Sequence, residues 1–165
     1  RQHFWSAAVA ASPSLARAHS GMGTAYLAAG HKEEAEKEYK KAIALDPKSS
    51  IAYKSLGILY VKEGHMADAE TMFKKAIELK PWYGDALLNL GILYFRQHRL
   101  DEAKEVWQRT LAINPNYLKA HEYLAMYYYE TGDFMQSSFH VREVEKRGGR
   151  VQEQLKSTLL RQNAL

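Results

Sequence analysis

Seven histidines are the first residues in this chain that could do chemistry. Imidazole ligates metals and moves protons near pH 7. A metal site built on a helix needs two ligands on one face, the arrangement that His-x-x-x-His or Glu-x-x-His supplies. Neither pattern occurs. His31 and His65 lie 34 residues apart, and His98 falls one position short of the next step. His19 and His121 lie three such steps apart. Residues so spaced are copies of one position, held apart from one another, and no metal ligand set is expected.

The carboxylates give no better case for catalysis. Glu33, Glu36 and Glu70 stand four residues before Lys37, Lys40 and Lys74. That spacing makes a solvated helix face worth a few tenths of a kcal/mol per pair. There is no Gly-rich phosphate loop, no Gly-x-Ser-x-Gly and no His-Glu-x-x-His. The chain has no cysteine, which excludes disulfides and thiolate zinc sites. The expectation is a non-catalytic segment with no cofactor and no metal.

Charge and hydropathy narrow the partners. The net charge is +4 and the isoelectric point about 9.1, but acids and bases interleave, as in Glu33-Glu34-Ala35-Glu36-Lys37-Glu38. No basic block tracks a phosphate backbone, so nucleic acid is not an expected partner. No apolar run nears the ~20 residues that span a bilayer, so no direct membrane insertion is expected.

The elements that carry these residues are set by a repeat. Pro13, Pro47, Pro81 and Pro115 are spaced by 34. Gly23, Gly57 and Gly91 keep the same step, as do Tyr26, Tyr60, Tyr94 and Tyr128, and Ala35, Ala69 and Ala103. A fixed period of this size marks one supersecondary unit copied and stacked. Within each copy Met22, Gly23, Tyr26 and Leu27 form one helical stripe, and Ala35, Tyr39, Ala42 and Ile43 a second. Gly30 and Gly64 end first helices, and Asp46-Pro47 ends a second. Small Gly57, Ala69 and Ala76 let two helices approach, while Tyr60 and Phe73 fill the space beyond. The recurring residues read as packing.

The boundaries follow from phase. Four repeats occupy 16–49, 50–83, 84–117 and 118–149 within a region 14–149. Residues 1–13 read as the second half of a truncated repeat, with Trp5 and Ala8 in the register of Tyr39 and Ala42. Residues 150–165, with Val151, Leu155 and Leu159, read as an amphipathic C-terminal helix that caps the last repeat. The segment is expected to belong to a longer protein, and its N-terminal helix, without an upstream partner, offers a route to self-association.

The pattern Leu56-Gly57-x-x-Tyr60…Ala69…Phe73…Ala76…Pro81 resembles the tetratricopeptide repeat. It matches in repeats one to three and more weakly in four, where Ser137, Val144 and Gly149 depart from it. His19, Tyr53, Leu87 and His121 replace the family's early tryptophan, and Thr110 replaces an alanine. The resemblance implies an all-α solenoid, a right-handed superhelix of antiparallel helix pairs. It also implies that first helices line a concave groove, and that the module binds peptides or other proteins.

Register then lists the groove. Repeat one offers Arg17, Ser20, Thr24 and Leu27; repeat two offers Ile51, Lys54, Ile58 and Val61. Repeat three offers Asp85, Leu88, Asn89, Ile92 and Phe95. Repeat four offers Lys119, Glu122, Tyr123, Met126 and Tyr129. Leu27, Val61, Phe95 and Tyr129 make a central row beside Thr24, Ile58, Ile92 and Met126, an apolar trough suited to a protein or peptide with apolar anchors. One subfamily clamps a peptide's terminal carboxylate with Lys and Asn. Here Thr24, Ser20 and Asp85 stand in those places, so no clamp is expected. A second reading rests on the stretch from Phe4 through Trp5, Ser12-Pro13 and Ala16-Arg17-Ala18-His19. It looks like the junction in membrane glycosyltransferase-like proteins, and would make the segment an extramembranous arm of such an enzyme.

Overall fold

The computed structural model describes residues 13–161, so the readings for residues 1–12, including Trp5, Ala8 and self-association through that helix, lie outside the described residues. Those described form nine helices and no strand. In order they are α1 Pro13–Ala28, α2 Lys32–Leu45, α3 Ser50–Glu63, α4 Met66–Leu79, α5 Gly84–Arg96, α6 Leu100–Ile113, α7 Leu118–Glu130, α8 Phe134–Lys146 and α9 Glu153–Arg161. The second helix of each pair starts at Lys32, Met66, Leu100 or Phe134, so the step of 34 seen in the prolines is also the step of the backbone. Two compact units share the chain, Arg1–Ala86 and Leu87–Leu165.

Local chemistry sets the helix ends. Gly64 closes α3 at φ 83°, where its N–H reaches back to the carbonyl of Val61, a left-handed cap that costs glycine little. The third repeat makes the same turn with His98 at φ 58°, a conformation in which a side chain is strained. Extended residues end the second helices, Asp46 at φ −139° before Pro47 and Asn114 at φ −140° before Pro115. Ser49 caps α3 by accepting from the Ala52 N–H at 3.4 Å. Asp133 caps α8 by accepting from the Gln136 N–H at 3.0 Å.

In the first unit the glycine that keeps the repeat step in each first helix, Gly23 or Gly57, receives a ring from its second helix. A Cβ on Gly23 would lie 2.7 Å from Tyr39, and one on Gly57 2.7 Å from Phe73. Both rings are buried. Ala35, Tyr39, Leu56 and Leu59 join into one core, with Leu27, Ile43, Tyr60 and Met72 at its margin. Tyr60 is thus marginal rather than central. It is half-buried, and its hydroxyl donates to Glu36 at 3.1 Å. Met22 and Tyr26, read as part of the first apolar stripe, are 45% and 39% exposed. The residues that register would set against them lie within 1–12, outside the described residues.

In the second unit Trp107 takes the ring position, fully buried and crowding Gly91. Where alanine gives way to serine, Ser137 donates to the Ala125 carbonyl at 2.8 Å, so the buried hydroxyl is satisfied. Thr110, the other substitute, donates to the Val106 carbonyl at 2.9 Å. Helix α9 buries Leu155 and Leu159 with Ala125 and Val141. Val151 precedes that helix rather than opening it, yet packs against the same cluster.

Candidate functional site

The first helices α1 and α3 of the first unit lie against one another, because Ala16, Ala52 and Ser55 are small and buried. This contact sets the register-selected residues side by side. Arg17 and Thr24 are exposed; Leu27, Lys54, Ile58 and Val61 are half-buried. Ser20 is the exception, at 4% exposure. The Thr24 hydroxyl donates to the Ser20 carbonyl at 3.0 Å and shares a 3.2 Å hydrogen bond with the Tyr39 hydroxyl. Ile51 is 46% exposed. The Lys54 ammonium lies 5.5 Å from the Tyr83 ring, a contact that holds the chain while leaving its charge available.

In the second unit Leu88, Asn89, Ile92 and Phe95 of α5 are half-buried. Trp107 organises the neighbourhood. Its indole N–H points at the Leu88 carbonyl, 3.4 Å away. Phe95 approaches its ring at 5.6 Å, and Tyr123 of α7 stacks on it at 5.1 Å. Lys119 is exposed and pairs with Glu122 at 2.6 Å, which raises the ammonium above its ordinary value. Met126 and Tyr129 are half-buried against the cluster that α9 joins. A cavity of about 240 Å³ remains beside them, lined by Glu130, Gln152, Gln154, Leu155 and Thr158.

The histidines occupy different ground from this surface. His19 meets the buried Glu38 at 2.5 Å. Lys41 and His19 together hold that carboxyl below its usual value. His121 and His140 repeat the same two positions three repeats on, with their Nδ1 atoms 2.9 Å apart. His121 Nε2 donates to the Pro115 carbonyl at 3.0 Å, so its Nδ1 accepts from His140. Burial, and then the neighbouring His121, push His140 down to about 4. Register compares a residue with its copies and so misses this pair, which joins two different repeat positions. The signal was present in the common spacing of 19 from His19 to Glu38 and from His121 to His140. Among the described residues no three His, Asp or Glu side chains converge as metal ligands would, and no helix is long and apolar enough to cross a membrane.

Comparison with known proteins bears on the fold. Three family models described as tetratricopeptide repeat match residues 16–49, 38–71 and 60–125. No curated protein matches the sequence. A crystal structure of MamA is similar at 24% identity and TM-score 0.74, over 83% of this chain and 80% of that one. The first repeat domain of Spaghetti (RPAP3), bound to the HSP90 peptide SRMEEVD, is similar at 24% identity and TM-score 0.70, over 75% and 98%. YrrB, described as a repeat protein with an unusual peptide-binding site, is similar at 23% identity and TM-score 0.66, over 78% and 66%. The shared fold is the all-α solenoid of helix pairs. Nothing in these matches supports the glycosyltransferase-like junction, and residues 4–12 of that stretch lie outside the described residues.

Proposed function

Because this chain belongs to the tetratricopeptide repeat family, we propose that it is a non-catalytic protein-interaction module whose first helices take a peptide or helix of a partner. One observation carries the reading. The aliphatic side chains Ile58 and Val61 in the first unit, and Ile92 in the second, stay half-buried on the face that register assigns to the groove. Fully packed core residues of the same helices, Leu56, Leu59 and Leu93, are at 5% exposure or below. Ile58, Val61 and Ile92 therefore keep apolar area beyond the packed core that a ligand can cover. Two solved structures with this fold are described by a bound peptide or a peptide-binding site, which supports a peptide as the ligand class.

The polar groups beside the row shape the ligand. Arg17 and Lys54 offer cations. Apolar anchors would seat on the aliphatic row, with the partner's backbone or carboxylates answered by these groups. The test uses a peptide selected from a random display library on the immobilised chain. Ile58→Glu and Ile92→Glu should each weaken its binding at least tenfold, while Lys37→Glu on a second helix should leave it within twofold. A selected peptide that ignores both groove variants would overturn the reading.

A further inference from the structure

We infer that helix α8 carries a second docking surface, on its outer face, for an acidic helical segment of a partner protein with two apolar anchors. The surface breaks the repeat pattern at defined places. Counting by 34, Met135 occupies the position of Glu33, Ala67 and Asp101, and Phe139 that of Lys37, Thr71 and Glu105. All six of those residues are small or polar, and exposed. In α8 alone the two positions hold large apolar side chains, 82% and 52% exposed. The Phe139 and His140 rings meet edge to face with their centroids 5.1 Å apart, and about half of the Phe139 side chain stays exposed.

The charges of the same face also depart from the pattern. The position of Arg142 holds Lys40 in α2 and Lys74 in α4. There each is neutralised by an acid one turn earlier, Glu36 at 2.8 Å and Glu70 at 2.7 Å. In α8 that acid is replaced by the buried Ser138. Arg142 is exposed and enters no ion pair among the described residues, and the same holds for Lys146 and Arg150. The nearby acids are committed elsewhere, Glu143 to Arg147 at 2.5 Å and Glu145 to Lys156 at 2.6 Å.

Met135, Phe139, Arg142 and Lys146 follow one another at steps of four, three and four, so they form a single stripe about 16 Å long. The stripe is apolar at its first half and cationic at its second. Charge complementarity selects an occupant with two apolar side chains followed along its axis by carboxylates. A helix that presents them at matching steps fits the stripe. A flat anionic bilayer fits less well. The equivalent outer positions one repeat earlier carry the exposed acids Asp101 and Glu105, which a plane of lipid would meet and a narrow helix along α8 would not.

The proposal is independent of the groove. Its probe is a fluorescein-labelled helical peptide with leucines four residues apart and glutamates seven and eleven residues after the first leucine. Anisotropy should show saturable binding that weakens at least tenfold between 50 and 500 mM salt. Met135→Asp with Phe139→Glu, the residues α6 carries, should abolish it. Arg142→Glu with Lys146→Glu should weaken it at least fivefold, and Ile58→Glu should leave it unchanged. All four α8 substitutions are at exposed sites; if the apolar double variant fails to fold, the charge-reversal pair decides. No binding at 1 mM probe, or equal binding of a peptide with lysines for the glutamates, would overturn the proposal. So would cosedimentation with phosphatidylserine vesicles in place of peptide binding, or a dimer that Met135→Asp with Phe139→Glu disperses.

Discussion

Acid should weaken the second unit through one pair of side chains. His140 is 7% exposed and His121 5%. Their single Nδ1–Nδ1 hydrogen bond, together with the bond from His121 to the Pro115 carbonyl, is satisfied with both rings neutral. With His140 held at about 4, against an ordinary 6.5, the folded chain binds fewer protons than the unfolded chain between those values. Stability contributed by this group is therefore complete above about pH 7 and falls as pH drops through 6.5 towards 4. Each tenfold change in proton affinity is worth about 1.4 kcal/mol, so the loss is about 2 kcal/mol between pH 7 and 5 and about 3 kcal/mol in full. The comparison variant is His121→Leu with His140→Val, which copies Leu87 and Val106 of the third repeat. Removing both partners leaves no orphaned donor. Urea unfolding at pH 7, 6 and 5 should show the natural chain losing about 2 kcal/mol more than the variant over that range. Parallel pH dependence in the two proteins would refute the reasoning.

Four further outcomes follow from the packing and backbone geometry. Gly57→Ala should destabilise by about 1–3 kcal/mol, since the new Cβ would meet Phe73 at 2.7 Å. Gly21→Ala, with nothing within 4 Å of its Cβ, should stabilise by roughly 0.5–1 kcal/mol; paired thermal melts read both. His98→Gly should relieve a left-handed strain of roughly 1 kcal/mol, and an unchanged urea midpoint would remove that account of the third-repeat turn. Deleting 151–165 strips the cover from Ala125 and Val141. We expect a lower Tm or exposed apolar surface detected by dye binding, and an unchanged melt would contradict a capping role for α9.

Much of the fold was written in the period. Pro47, Pro81 and Pro115 mark where second helices end, and Gly57 and Phe73 are both legible as packing residues, although their direct contact emerges only in the folded helix pair. What register could not supply is contact between unlike positions. It treats Ser20 as a copy of Lys54, Leu88 and Glu122, but a serine is too short to reach out of the helix contact that a lysine leaves, and Ser20 is buried. It places Met126 with Ile58 and Ile92, while the packing of α9 depends on a helix with no counterpart in the other repeats. Phe95 carries a similar lesson. It sits in the groove row by register, but its ring also meets Trp107 at 5.6 Å. Phe95→Glu would therefore disturb packing as well as any ligand, and Ile58 and Ile92 are the cleaner sites to change.

The most direct test of the interaction account is a map of backbone amide shifts in the isotopically labelled chain as a display-selected peptide is titrated in. We predict that the largest changes fall on α1 and α3 around Thr24, Ile58 and Val61, and on α5 around Asn89 and Ile92. Changes confined to α2, α4 and α6, with these residues unmoved, would contradict it.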